Sequence, residues 1–321
     1  MKETETTLAK TISVAGVNAA YDNACKRILS DKNILAWIMK SCLPEYKTCS
    51  VDEIAANYIE GEPQISDIAV HQDEQKNSSR IQGMNTEDAS INEGTVTYDI
   101  RFYALAPVSG ERIRLIINVE AQNDFYPGYP VVKRNIYYCS RLISSQHGTE
   151  FEGSHYEQIK KVYSIFICME PPKYRRNTIN CYSIQEENVI GNVKEKKENY
   201  DLMTAVMLCL GVKDDEEVSG ILRLLEVLLS SERNAEEKKK ILQEEYGIEM
   251  TKKLDKEVSE MCNLSKGVEA RGMQKGIQKG IQKGILSSIQ TLMVTMSWTV
   301  EQAMDALKIP KEDRIKYLEK L

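Results

Sequence analysis

A chain of 321 residues, 42% hydrophobic and 28% charged, is long enough for one sizeable core plus a smaller helical appendage. Its formal net charge of -6 argues against a generic nucleic-acid coat but is compatible with a local basic cleft. The eight cysteines are scattered without a CxxC pair, and the histidines are only His71, His147 and His155, which points to reduced, buried thiols in a cytoplasmic protein and away from a Cys/His zinc site.

The N-terminal residues 1–13 lack an apolar signal-peptide region, and the longest apolar run, residues 202–212, is too short to span a bilayer. A soluble, intracellular chain with no membrane partner is therefore expected. Helical periodicity covers residues 17–43, with Ser30-Asp31 as a break and cap between two helices. A short helix follows over 51–58 and a strand over 63–70. Residues 71–94 are almost wholly polar and too long for an ordinary connection, so they read as a mobile surface loop, with a functional lid as the second reading.

Residues 95–122 carry the clearest pattern. Val96, Tyr98, Ile100 and Phe102 alternate with Thr97, Asp99 and Arg101, and Ile113, Leu115, Ile117 and Val119 alternate with Arg114, Ile116, Asn118 and Glu120. Between them Pro107-Val108-Ser109-Gly110 is turn chemistry, so the stretch predicts a β-hairpin. A loop of Ser109-Gly110 and a loop of 108–111 give the same register, which sets Asp99 opposite Glu120 and puts Gln122 on the face of Glu120. Two carboxylates facing one another destabilise a hairpin unless a cation lies between them. A divalent metal would serve, and so would a nearby Arg or Lys; structural pairing of Asp99 and Glu120 with Arg101 or Arg114 is the duller alternative.

Beyond Gln122, residues 123–130 form an aromatic, Pro- and Gly-rich turn, 132–146 a helix, and 160–169 a buried strand. From residue 199 the expected structure is helical, with segments at 201–211, 217–234 and 235–248. Residues 271–285 are a tandem repeat with Gly272, Gly276, Gly280 and Gly284 four apart. Four glycines cost a helix roughly 1 kcal/mol each, so the repeat reads either as a helix that recovers this cost by close pairing or as a semi-flexible linker. Two short helices close the chain, 300–307 after a Thr299 cap and 311–321 after Ile309-Pro310. They read as a packing appendage, with a DNA-contacting or oligomerising module, and so a homo-oligomer, as alternatives. The division is thus a core over 1–190 with the 71–94 loop, a helical subdomain over 191–268, and the repeat and terminal helices over 269–321.

The sequence YDIRFYA, a turn and LIINVEAQND, then a helix bearing Arg134, Tyr137 and Tyr138 and the strand KKVYSIFI, resembles the PD-(D/E)XK nuclease family transposases, also called recombination-promoting nucleases. The glycine-lysine repeat is similar to that family as well. The resemblance covers residues 17–285 and is most specific at Asp99 and Glu120-x-Gln122. It implies an α/β fold with a restriction-endonuclease-like αβββαβ core, a mixed sheet flanked by helices, and a C-terminal helical extension. It also implies Mg²⁺- or Mn²⁺-dependent cleavage of DNA phosphodiesters. Asp99 would be the metal-binding aspartate, Glu120 the second acidic ligand, and Gln122 would stand where the family usually has Lys.

The chemistry is consistent with that assignment. Mg²⁺ takes carboxylate and water oxygens together with a substrate phosphate, and the Ala121 carbonyl is a further candidate ligand. Glu60 and Glu62 are candidates for an additional acid. A carboxamide at Gln122 orients water but cannot supply positive charge, so slow or lost activity is one expectation. The alternative function is a catalytically weak or inactive DNA-binding or interaction protein that keeps the nuclease fold. Lys133, Arg134, Arg141, Lys160, Lys161, Lys173, Arg175 and Arg176 are the candidate DNA-binding residues. Against Glu150, Glu152, Glu157 and Glu170 they make residues 130–180 locally basic. A solvated helix face and loop is the alternative reading of these charges. Tyr126 and Tyr129 are candidates to pack on nucleic acid or simply core aromatics.

Overall fold

Helix formation begins where apolar residues recur at helical spacing. In α1, residues 19–29, Ala24, Cys25, Ile28 and Leu29 are buried, and in α2, Lys32–Cys42, so are Ile34, Leu35, Ile38, Met39 and Cys42. Asp31 separates the two and caps α2, its side chain accepting from the Asn33 N–H, as the Ser30-Asp31 signal predicts. The computed structural model describes residues 19–66, 87–90, 94–107, 113–213, 218–310, 314, 317 and 318; for 87–90, 94–97, 113 and 265–279 it describes the backbone course alone. The turn at 108–110 and most of the 71–94 loop therefore lie outside the described residues.

The predicted 51–58 helix is a short α3, Val51–Glu53, running into a π-helical turn, Ile54–Tyr58. The strands that follow are β1, Gln64–Ile65; β2, Glu87–Ser90; β3, Gly94–Thr97; β4, Ile100–Ala106; and β5, Ile113–Gln122. Then come α4, Val131–Ser144; β6, Val162–Cys168; β7, Thr178–Ser183; and β8, Met203–Cys209. Six strands make one mixed sheet in the order β1-β4-β5-β6-β8-β7, parallel through β5, β6 and β8 and antiparallel elsewhere.

Three sequence expectations change here. The first hairpin strand is not continuous: it bends at Tyr98-Asp99, and β3 pairs instead with β2, which lies in the segment read as a loop. The run 201–211, expected as a helix, is β8. Its six consecutive buried residues suit an interior strand flanked by neighbours on both sides, where helix-forming Met, Leu and Ala are overridden by burial. The sheet therefore takes in residues beyond 190, and β7, an edge strand, was not foreseen.

Alternation along the strands divides the core. On one face Ile100, Phe102, Leu115, Ile117, Val119, Tyr163, Ile165 and Ile167 pack with α1, α2, α5 (Gly220–Leu229) and α6 (Ala235–Glu244). On the other, Ile116, Val162, Phe166 and Met207 pack against Val131, Tyr138, Cys139 and Leu142 of α4, whose spacing keeps them on one stripe. Each such buried aliphatic side chain contributes on the order of 2 kcal/mol. α1 is fixed by Tyr21, whose hydroxyl donates to the Leu229 carbonyl at 3.0 Å, and by an Arg27–Glu260 ion pair at 3.2 Å. That fixture sets the position of Lys26.

The chain divides into two compact units, residues 1–264 and 265–321. Helix α7, Lys252–Met296, runs through the boundary, so the glycine repeat is helical rather than a linker. In the second unit Ile289, Ala303, Met304, Ile309 and Tyr317 form a small cluster, and Thr299 caps α8, Val300–Ala306, in a reciprocal capping box with Gln302. At Gly280 and Gly284 no atom of the described residues lies within 4 Å of where a Cβ would stand, so among the described residues no segment packs closely on those two positions.

Candidate functional site

The β4–β5 register runs from Ala106 opposite Ile113 to Ile100 opposite Val119, the register expected from the turn. The next step in each strand is Asp99 and Glu120. Asp99 sits at the bend that ends β4, and its backbone N–H donates to Glu120 Oε1 at 2.9 Å. The Ala121 N–H donates back to Asp99 Oδ2 at 3.2 Å. Sequence reasoning thus places these two residues together correctly; at Ala121 the described contact is made by the amide, not the carbonyl.

Burial decides what else the pair needs. Asp99 is 4% and Glu120 2% exposed, too enclosed for unpaired charge. Lys26, from the middle of α1 and 0% exposed, puts its Nζ 2.9 Å from Asp99 Oδ1 and 3.0 Å from Asp22 Oδ2. From α4, Arg134 Nη2 lies 3.8 Å from Glu120 Oε2, Nη1 donates to Gln122 Oε1 at 3.2 Å, and Nε and Nη2 donate to the Tyr138 hydroxyl at 3.1 and 2.8 Å. Gln122 in turn donates to the Asp124 carbonyl at 2.5 Å, tying the strand end to the loop that follows. Like Ile116, Glu120 and Gln122 project from the α4 face, and Lys26 reaches the pair from α1.

Burial is the largest influence on both carboxyls. It pushes Asp99 above the usual carboxylate range against the opposing pull of Lys26, and it pushes Glu120 well above that range, with the Asp99 charge adding to the rise and Arg134 opposing it. Burial pulls the Lys26 ammonium down, but Asp99 and Asp22 outweigh it and leave it above its ordinary value.

Asp22 and Lys26 are the site residues that sequence reasoning missed. Their only sequence signal is a spacing of four on one predicted helix, which marks an ion pair but not its third partner. Glu60 pairs with Arg114 at 2.7 Å, and Arg114 lies six residues before Glu120 on β5, about 20 Å along the strand. Glu62 is exposed and faces Lys32. Neither glutamate joins the pair. Arg114 is thereby engaged elsewhere, and Arg101 lies over the Tyr98 ring; among the described ion pairs, Lys26 meets Asp99 and Arg134 meets Glu120.

The basic residues expected on DNA separate into two groups. Arg134 belongs to the site, Arg141 is buried with its Nη1 on the Tyr137 hydroxyl, Lys160 pairs with Glu150, and Lys161 pairs with Glu45 and Asp201. Lys133, Lys173 and Arg176 are exposed, and Arg175 is half-buried beside Tyr174.

A hard divalent cation suits the donor set. Asp99 and Glu120 offer carboxylate oxygens on adjacent strands, and the three carboxylates Asp22, Asp99 and Glu120 outnumber the two cations Lys26 and Arg134, so the ionised cluster attracts positive charge. Among the described residues no three His, Cys, Asp or Glu side chains are grouped to hold one ion, which leaves two protein carboxylates, a number Mg²⁺ accepts when water and phosphate complete its shell. Among the described residues, too, no helix is long and apolar enough to cross a membrane. No protein-family model, no curated protein and no solved structure matches the chain.

Proposed function

We propose that this chain is a divalent-metal-dependent DNA endonuclease of the PD-(D/E)XK type, hydrolysing phosphodiesters in recombination or mobile-element movement. The observation that carries the reading is the junction of Asp99 and Glu120 across the β4–β5 register. The order α1–α2, β1, β4, β5, α4, β6 supports it, since it follows the αβββαβ plan of restriction-endonuclease-like cores.

Mg²⁺ or Mn²⁺ held by Asp99 and Glu120, with the Ala121 carbonyl as a further ligand, would polarise the phosphate and acidify an attacking water. The remaining work falls to the chain itself. Lys26 supplies beside Asp99 the positive charge that the Glu-x-Gln motif lacks at Gln122, and it favours the ionised form of Asp99 in a buried place. Gln122 acts as a clamp: it accepts from Arg134, which keeps the guanidinium facing Glu120, and holds the 124–130 loop through the Asp124 carbonyl. Lys133, Lys173, Arg175 and Arg176 provide the phosphate contacts. Supercoiled plasmid incubated with Mg²⁺ or Mn²⁺ tests the proposal, with nicking by the native chain and none by Asp99→Ala as the expected result.

A second reading, a DNA-binding or interaction protein without activity, draws on one observation: each buried carboxylate already has a cationic partner. Calorimetry distinguishes the two, since metal uptake that is abolished by Glu120→Ala is incompatible with a purely structural ion-pair network.

A further inference from the structure

The segment that follows Gln122 does more than turn the chain. Phe125, Tyr126 and Tyr129 line a cleft of about 400 Å³, together with Tyr182 and Asn180 of β7 and Arg175. The cleft is at the carboxyl end of the parallel strands β5, β6 and β8, where Gln122, Cys168 and Cys209 stand in register, the end at which open α/β sheets take their ligands. Its volume lies within the range of small-molecule sites.

Three features say what it would hold. Its aromatic faces remain available: Tyr126 is 64% and Tyr182 37% exposed, whereas the ring of Phe166 nearby in the core is fully buried. The Tyr126 and Tyr174 hydroxyls are 3.1 Å apart, which links the two loops that form the mouth. Arg175 lies in the lining, and Lys173 and Arg176, two positions before it and one after it in sequence, are exposed. Flat apolar walls, one amide side chain and a cationic rim are the chemistry that receives an unstacked nucleobase while its phosphates stay outside.

We infer that this cleft is a nucleobase subsite, in which a base of a single-stranded or locally opened DNA stacks between the Tyr126 and Tyr182 walls while the backbone passes Arg175 toward the Asp99–Glu120 pair. The inference rests on the nuclease reading for the identity of the polymer and deepens it: the substrate is DNA with unpaired bases.

The test is binding of the full chain to a short fluorescein-labelled DNA single strand and to the same strand made abasic, by anisotropy, in EDTA and again in Ca²⁺. The intact strand should bind more tightly than the abasic one. Tyr126→Ala and Tyr182→Leu should each weaken the intact strand by roughly 5- to 100-fold and remove its advantage over the abasic strand. Tyr126 is largely solvent-exposed, and Leu keeps the Tyr182 wall apolar, so both variants should unfold at the native temperature. Equal affinity for the two strands, absence of binding to either, or affinities untouched by both substitutions would overturn the inference. An Asp99→Ala chain that cuts like the native one, with the base preference intact, would remove the nuclease assignment and leave the cleft standing.

Discussion

Lys26 and Asp99, 73 positions apart in sequence, meet at 2.9 Å inside the protein, and the same ammonium holds Asp22 at 3.0 Å. With Lys26 fully buried, removal of its charge strands the Asp99 carboxylate in the core and leaves the half-buried Asp22 without this partner. Lys26→Met should lower the unfolding free energy by about 3–5 kcal/mol, the usual cost of breaking a buried pair from one side. Adding Asp99→Asn to Lys26→Met should recover part of that loss. Urea unfolding of the single and double variants measures both, and additive losses would argue against the pairing.

The raised Glu120 value makes a pH prediction. Unfolded glutamate ionises near 4.5, and the folded group ionises at higher pH, so between those values the folded state holds the extra proton and stability falls as pH rises. Glu120→Gln removes this dependence. The variant should therefore gain on the native chain as pH is raised from 4.5 toward neutrality, as read from denaturant midpoints. Lys26 acts in a different window: its raised value adds stability that is fully present below 10.5 and is lost as pH climbs through the folded value.

A lysine placed at position 122, the residue the proposed nuclease assignment would lead one to expect there, should not help. The Gln122 side chain accepts from Arg134 at 3.2 Å and is 9% exposed, so Gln122→Lys would set an ammonium against a guanidinium in a nearly closed space. A destabilisation of about 1–3 kcal/mol is expected, with no gain in plasmid nicking. A variant that nicks faster at unchanged stability would contradict the role proposed for Lys26.

The two groups of basic residues should behave differently on DNA. Lys160→Ala and Lys161→Ala break intramolecular ion pairs and should leave the salt dependence of binding nearly unchanged. Alanine at Lys173, Arg175 and Arg176 together should weaken binding and reduce the slope of log affinity against log salt by about 2–3. Anisotropy titrations at several salt concentrations separate the cases.

What could be read in the sequence follows from the range over which each signal acts. Strand alternation and a local turn fix the β4–β5 register, so the meeting of Asp99 and Glu120 was legible from a stretch of the chain shorter than thirty residues. The caps at Asp31 and Thr299 are likewise local. Lys26 was not legible, because nothing in α1 names a partner on a distant strand. Arg134 was read as a phosphate contact because its charge is visible in sequence and its burial against Tyr138 and Glu120 is not. β8 is ambiguous in sequence for a related reason: a short apolar run of Met, Ala, Val and Leu suits a helix as well as a strand, and only the neighbouring β6 and β7 decide. The bend at Tyr98-Asp99 interrupts an alternation that continues unbroken in the sequence, with Tyr98 packed edge-on against Tyr138.

The most direct measurement is a plasmid-nicking time course with purified full-length chain in Mg²⁺, in Mn²⁺ and in EDTA, run beside Asp99→Ala and Glu120→Ala chains shown to be folded. The nuclease account predicts metal-dependent conversion of supercoiled to nicked DNA by the native chain and none by either variant. Nicking that persists in EDTA, or that proceeds equally well without the Asp99 carboxylate, would contradict it.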